Sequence, residues 1–194
     1  CMPGSQGMCP LPNRKDRPAM ITLDLDKCSG CSRCEVNCSF YHSGKIGRAG
    51  ARIKVVKVEE IGIDYPLVCQ QCAERYCTQC PEKAIEVGPL GQIIVSPTLC
   101  TACGTCERMC PIGAIELYEE IPLVCDLCGG EPRCVKACTL DAIHYLADLS
   151  EAVSLKDFKK ASRRRSPEKK RLKFAMTHSQ QLRNSWITER RDRC

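Results

Sequence analysis

Short apolar stretches alternate with cysteine-rich loops along residues 20–147. Ile21-Thr22-Leu23-Asp24-Leu25 alternates apolar and polar side chains, and Gln92-Ile93-Ile94-Val95-Ser96 is an apolar run, each just ahead of a cysteine loop. Both patterns predict strands. Ala51–Val58 reads as a further strand, followed by a turn near Gly62 and Asp64. One phrase recurs three times: Pro81-Glu82-Lys83-Ala84-Ile85-Glu86-Val87, Pro111-Ile112-Gly113-Ala114-Ile115-Glu116-Leu117 and Thr139-Leu140-Asp141-Ala142-Ile143-His144-Tyr145. Each copy reads as a single helical turn entering a short strand. Beyond Leu149, Val153, Leu155, Phe158 and Ala161 fall at helical spacing among lysines, which predicts one short amphipathic helix within 150–162. Ser166-Pro167 then breaks the pattern and leaves a basic arm.

The loops carry the dominant signal. The chain has 194 residues and 19 cysteines, but aromatic residues make up only 5% of it. An apolar core alone would be thin, so something else must cross-link the chain. Sixteen cysteines form four quartets: Cys28, Cys31, Cys34, Cys38; Cys69, Cys72, Cys77, Cys80; Cys100, Cys103, Cys106, Cys110; and Cys125, Cys128, Cys134, Cys138. The first and third share the spacing C-x2-C-x2-C-x3-C. The second and fourth open alike, as Pro66-Leu67-Val68-Cys69 and Pro122-Leu123-Val124-Cys125. Regular, irregular, regular, irregular is the order left by duplication of a two-quartet unit.

Spacing selects the chemistry. A C-x2-C-x2-C loop wraps three corners of a cubane while a more distant cysteine supplies the fourth, and Cys100 to Pro111 matches the bacterial ferredoxin run at every cysteine and at the proline. Zinc ribbons use two separated C-x2-C pairs, which the closely following third cysteine fits poorly. A disulfide framework suits a small secreted chain, and residues 1–20 lack the apolar segment of a secretory signal. Three-iron clusters are compatible with the same spacing. Without an apolar stretch of spanning length, the expected location is cytoplasmic.

The net charge of +6 is uneven: residues 156–193 hold 14 basic and 4 acidic side chains, leaving 15 basic and 19 acidic in the remainder. An acidic body therefore carries a basic tail.

The quartets with their Cys-Pro-x-x-Ala-Ile phrases resemble the four-cluster ferredoxin-like subunits of molybdenum and tungsten pterin oxidoreductases. Cys38-Ser39-Phe40-Tyr41-His42-Ser43-Gly44, Ala51-Arg52-Ile53-Lys54-Val55 and Cys125-Asp126-Leu127-Cys128-Gly129-Gly130-Glu131-Pro132 are most similar to the small subunits of aldehyde-oxidoreductase-type tungsten enzymes. The resemblance covers about residues 20–147. It implies an α+β, tandem bacterial-ferredoxin-like fold with four [4Fe–4S] clusters. The implied ligand sets are Cys28, Cys31, Cys34 with Cys138; Cys125, Cys128, Cys134 with Cys38; Cys69, Cys72, Cys77 with Cys110; and Cys100, Cys103, Cys106 with Cys80. Two departures stand out. Only two residues separate Cys77 from Cys80, where the family has three, and Thr139 replaces the proline expected after Cys138.

The expected organisation is an N-terminal extension at 1–20, a cluster domain at 21–148 with an insert at 39–65, and a C-terminal extended or helical arm at 149–194. The expected function is non-catalytic relay of single electrons between a tungsten or molybdenum pterin subunit and an external carrier of flavin or ferredoxin type. Service to a hydrogenase or formate-type enzyme is the first alternative; a cluster-bearing regulatory or nucleic-acid-binding protein is the second. The tail is expected to dock on an acidic partner or a neighbouring copy through Leu172, Phe174, Leu182 and Trp186. Plain solvation and nucleic-acid contact are the weaker readings. Copies docking without closing a ring would form a filament. Cys1, Cys9 and Cys194 show no cluster spacing, and His42 is expected to pack near the first cluster pair as a hydrogen-bond donor rather than a ligand.

Overall fold

Sulfur-rich loops are here held at their ends by four small two-stranded antiparallel sheets. The computed structural model describes residues 19–146, 152–162 and 165–191, and has mixed helix and strand. Strand β1 (Met20–Leu23) leads to helix α1 (Arg33–Ser43), and β2 (Lys54–Val58) turns into β3 (Ile63–Leu67). Then come β4 (Ile85–Val87), β5 (Ile93–Val95), α2 (Thr105–Met109), β6 (Glu116–Tyr118), β7 (Ile121–Leu123), α3 (Arg133–Ala137) and β8 (Ile143–Leu146). The pairs are β1–β8, β2–β3, β4–β5 and β6–β7. Three join neighbours in sequence, whereas β1–β8 sets Met20 opposite Leu146 and Leu23 opposite Ile143. That closure brings the first quartet to the fourth, and β4–β5, with Ile85 opposite Val95, brings the second to the third.

Strands appear at every predicted place, and two more appear where none was predicted. Strands β3 and β7 contain Pro66 and Pro122, which sit opposite Val55 and Leu117. Proline removes a ladder donor, so a proline-opened phrase reads as a loop. In a two-stranded sheet every strand is an edge, where the missing N–H costs no pairing.

Two apolar cores result. One gathers Ile21, Ile53, Val55 and Val68 around buried Cys34, Cys38, Cys125 and Cys134. The other gathers Ile63, Tyr65, Leu67 and Ile112 around Cys77, Cys106 and Cys110. The β2–β3 hairpin contributes to both. Glu35, 2% exposed, ties α1 to it: its carboxylate accepts from Arg48 Nε at 2.6 Å and from the Val55 amide at 3.0 Å.

The tail corrects the sequence reading in part. Helix α4 (Lys156–Ser162) lies where a helix was predicted, and of the extended or helical arm expected beyond it the helical form holds over α5 (Pro167–Arg191), 25 residues long. Pro167 opens it, because the first helical position needs no amide hydrogen and suits the fixed φ of proline. The same residue that breaks one helix thus starts the next. The tail does not, however, reach outward for its anchorage. Phe174 is 2% exposed, packed edge-on against Tyr65 and tilted against Phe158, with centroids at 5.9 and 4.8 Å. Arg183 donates to the Ile61 carbonyl at 2.8 Å and Trp186 Nε1 to Asp26 at 2.8 Å. Of the expected anchors, Leu172 stays exposed while Leu182 and Trp186 are half-buried. No helix among the described residues is long and apolar enough to cross a membrane.

Truncation of Phe174 to Ala should lower stability by about 3–5 kcal/mol, the usual cost of a lost core aromatic. Denaturant unfolding of the cluster-loaded protein measures it, and a loss below about 1 kcal/mol would show that α5 is not part of the core.

Candidate metal centres

All four cysteine runs share one backbone device. The residue before the second cysteine has positive φ in each: Gly30 at 65°, Gln71 at 48°, Ala102 at 54° and Leu127 at 56°. This left-handed step curls each loop around its own sulfurs. Three of the four bear a side chain there, a strained choice, and Gln71 and Leu127 are held by near-complete burial. Gly30 is different. A Cβ built there would fall on the Asp64 carboxylate, so only glycine lets that group rest against the loop. The third residue of each repeated phrase, three after the quartet's last cysteine, is again left-handed: Lys83, Gly113 and Asp141. In two copies the amide that follows donates to the cysteine sulfur, Ala114 to Cys110 and Ala142 to Cys138, both at 3.2 Å.

The loops converge in four groups. Cys28, Cys31, Cys34 and Cys138 line one cavity. Cys38, Cys125, Cys128 and Cys134 line a second. Cys80, Cys100, Cys103 and Cys106 line another. The remaining four meet as well: Cys110, Cys77 and Cys72 all act electrostatically on Cys69. In every group three cysteines come from one run and the fourth from another. On α1 the exchange is helical: Cys34 and Cys38, four residues apart on one face, open into adjacent cavities. Thr139 strengthens the same junction by accepting from Arg33 at 3.1 Å.

Between groups the sulfurs also come near each other. Cys134 has Cys34 as an electrostatic neighbour, Cys125 has Cys69, and Cys77 has Cys106. The four groups therefore succeed one another in a row. The Cys28/Cys31/Cys34/Cys138 group is at one end, followed by the Cys38/Cys125/Cys128/Cys134 group, the Cys69/Cys72/Cys77/Cys110 group and the Cys80/Cys100/Cys103/Cys106 group. Exposed cysteines occur only in the end groups among the described residues, Cys31 in the first and Cys103 in the last.

An all-sulfur donor set suits iron–sulfur clusters or zinc. All sixteen cysteines are free of disulfides. As bare thiols the deeply buried ones are badly placed to ionise: burial pushes Cys34, Cys77 and Cys134 up to about 12, Cys106 up to about 11, and Cys69 and Cys125 higher still, whereas the hydrogen bond with Thr105 lowers exposed Cys103. Bound iron inverts that logic by supplying the positive charge the thiolates need. Two orphaned donors point the same way. Arg52 Nε and Arg133 Nε are buried without an acceptor, and both guanidinium charges act on Cys128. A thiolate-ligated cluster beside them would supply sulfur acceptors and negative charge together, so the residues present fit such a group.

Several of these neighbours escape a reading of spacing alone. Arg52 donates its amide to Cys38 Sγ at 3.3 Å and its side chain pairs with Asp126. His42 lies 3.7 Å from Cys128 Sγ and 3.6 Å from Asp126. Burial, with Arg52 adding to it, lowers the His42 pKa against the pull of Asp126. Cys1, Cys9 and Cys194 lie outside the described residues.

Residues 93–116 match the model of the 4Fe-4S binding domain. The polyferredoxin-like subunit of the aliphatic sulfonate oxidoreductase of Pyrococcus furiosus is 39% identical over 122 residues, which are 61% of this chain and 70% of that one. A ferredoxin of Methanocaldococcus jannaschii is 37% identical over 138 residues, 70% of this chain and 76% of its own. The beta subunit of the NADH-dependent phenylglyoxylate dehydrogenase of Aromatoleum evansii is 33% identical over 137 residues, 65% of this chain and 30% of that longer one.

Gly30→Ala should cost about 2 kcal/mol, from the left-handed backbone and the collision with Asp64. Adding Asp64→Ala should recover at least half of that loss. Denaturant unfolding of both variants decides it, and strictly additive losses would mean that the two residues do not meet.

Proposed function

The chain belongs to the family of ferredoxin-like iron–sulfur electron-transfer subunits of oxidoreductases, and from that premise we propose that it is a four-cluster relay. The four groups would each hold one [4Fe–4S] cluster on a fold duplicated from a two-cluster ferredoxin. The observation that carries this is the exchange of the fourth cysteine: four sulfurs gather four times, never from one run alone. A bound cluster supplies reversible one-electron storage.

The protein's own side chains would do the rest. Cysteines facing one another between successive groups would keep the steps short, from Cys34 to Cys134, Cys125 to Cys69 and Cys77 to Cys106. Buried apolar walls exclude water from the interior groups. Exchange with partners would occur at the ends, where Cys31 and Cys103 reach the surface, the first with exposed Leu140 on the same cavity.

We assign the relay to a catalytic subunit of tungsten or molybdenum pterin type, acting on aldehyde-like substrates and located in the cytoplasm, with a flavin- or ferredoxin-type carrier at the far end. The first support is the resemblance of the α1 and Cys125–Pro132 phrases to such subunits. The names of the Pyrococcus and Aromatoleum relatives, both oxidoreductase subunits, are the second. Free thiols throughout the described residues favour a reducing compartment. In this reading residues 21–148 are the cluster domain, with the insert at 39–65, residues 1–20 precede it and 149–194 are appended to it. The exposed basic face of α5, with Lys169 and Lys173, is left for an acidic partner.

Iron and acid-labile sulfide on anaerobically purified protein should each come to about sixteen per chain, with little zinc. About eight of each would halve the relay, and about four zinc without sulfide would overturn it. Tungsten or molybdenum in the co-purifying subunit supports the assigned partner; nickel there would move the relay to a hydrogenase.

A further inference from the structure

Lys170 is the most deeply buried cationic side chain among the described residues, 3% exposed. From α5 its Nζ donates to the carbonyls of Glu107, Arg108 and Cys110, at 3.1, 3.0 and 3.0 Å. Carbonyl oxygens only accept, so three such bonds need three N–H groups, and only the charged ammonium has them. These carbonyls end α2, where the helix has no donors of its own to offer. The neighbouring Arg171 has the carboxylate of Glu116 at 3.2 Å. Among the described residues no carboxylate lies within ion-pair distance of Lys170. A desolvated ammonium with carbonyl partners alone is costly; of the charges that act on it Cys110 comes first, ahead of Lys159, which opposes it, and Glu107, which lies beyond ion-pair distance.

We propose that Lys170 is the counter-ion of the cluster held by Cys69, Cys72, Cys77 and Cys110, and that its charge raises the reduction potential of that site. The inference rests on the ligand grouping proposed above. Cys110 joins the two halves of the argument, since its carbonyl accepts from Lys170 while its thiol group faces the other three cysteines. Each electron accepted adds one negative charge to the site. A fixed cation in a poorly screened interior stabilises that reduced form over the oxidised one. At the Cys28/Cys31/Cys34/Cys138 end the neighbouring charges offset each other, because Arg33 lines that cavity together with a carboxylate. There the Asp64 carboxylate lies against Gly30, inside the cysteine loop, and acts on Cys28. The interior site backed by Lys170 therefore lies above that end of the row and retains electrons arriving from it. The C-terminal helix is in this respect part of the redox machinery, with Lys170 as a positioning residue for both α2 and the charge.

The test is an anaerobic redox titration of the full chain followed by electron paramagnetic resonance, comparing wild type with K170Q and K170R. The glutamine amide can still donate to the carbonyls but carries no charge. With iron content retained, K170Q should lower one transition by at least tenfold in its one-electron equilibrium, or 59 mV. K170R should leave that transition near its wild-type position. Unchanged potentials in an iron-replete K170Q overturn the proposal, whereas a wild type without cluster signals overturns the ligand grouping instead. Should K170Q not fold, the order within wild type decides, with signals assigned through Cys31→Ser and Cys72→Ser. A Cys72-dependent transition above the Cys31-dependent one supports the proposal, and the reverse order overturns it.

Discussion

Burying thiolate is the constraint around which this chain is arranged. Seven cysteines of the quartets are themselves core residues, set among Ile21, Ile53, Leu67 and Ile112. No interior tolerates that much sulfur charge without compensation. The compensation comes from short-range devices repeated along the chain: left-handed residues that wrap each loop, amides turned onto sulfur, and cations, Arg133 from within the fourth run and Arg52 and Lys170 from outside the cysteine runs. The two-stranded sheets are short because their task is to bring loops together. The apolar cores are correspondingly modest, and metal takes the place of the cross-links that a larger core would supply.

The periodic part of this arrangement is open to a reader of the sequence. Cysteine spacing marks the loops, and the threefold Ala-Ile phrase marks strands β4, β6 and β8 that follow them. Long-range geometry is less accessible. Strands β3 and β7 were hidden by Pro66 and Pro122, because tolerance of proline depends on each sheet having only two strands, which local pattern does not reveal. Pro167 was likewise read as an end when it is a beginning. The signal for Glu35, Asp64 and Lys170 is weaker still, since a charged residue in a polar-looking stretch is ordinarily solvated. Glycine offered one clue. Gly30 stands in a loop whose counterparts carry Gln71, Ala102 and Leu127, so something must press against it.

The basic tail shows how charge can mislead when it is counted rather than located. A net excess of positive charge suggested an arm seeking an acidic partner. The inner face of α5 instead spends its cations on the chain's own carbonyls, at Ile61, at Gly113 and at the end of α2. Gly113 allows this closeness, because a Cβ there would strike the Pro167 carbonyl. Only the outward positive face is available to another molecule.

The pairing of β1 with β8 also orders the birth of the protein. The cavity lined by Cys28, Cys31 and Cys34 is not closed until Cys138 has been synthesised, and the Cys125 group likewise waits on Cys38 from far behind. The Cys69-to-Cys110 stretch, by contrast, contains all eight sulfurs of the two groups at its end of the row. A chain emerging from the ribosome can therefore complete this nested half first, and the outer half only when its own two ends meet. Under the proposed ligand grouping metal would be taken up in two instalments, and Cys28, Cys31 and Cys34, the earliest of the sixteen, would wait longest for their partner.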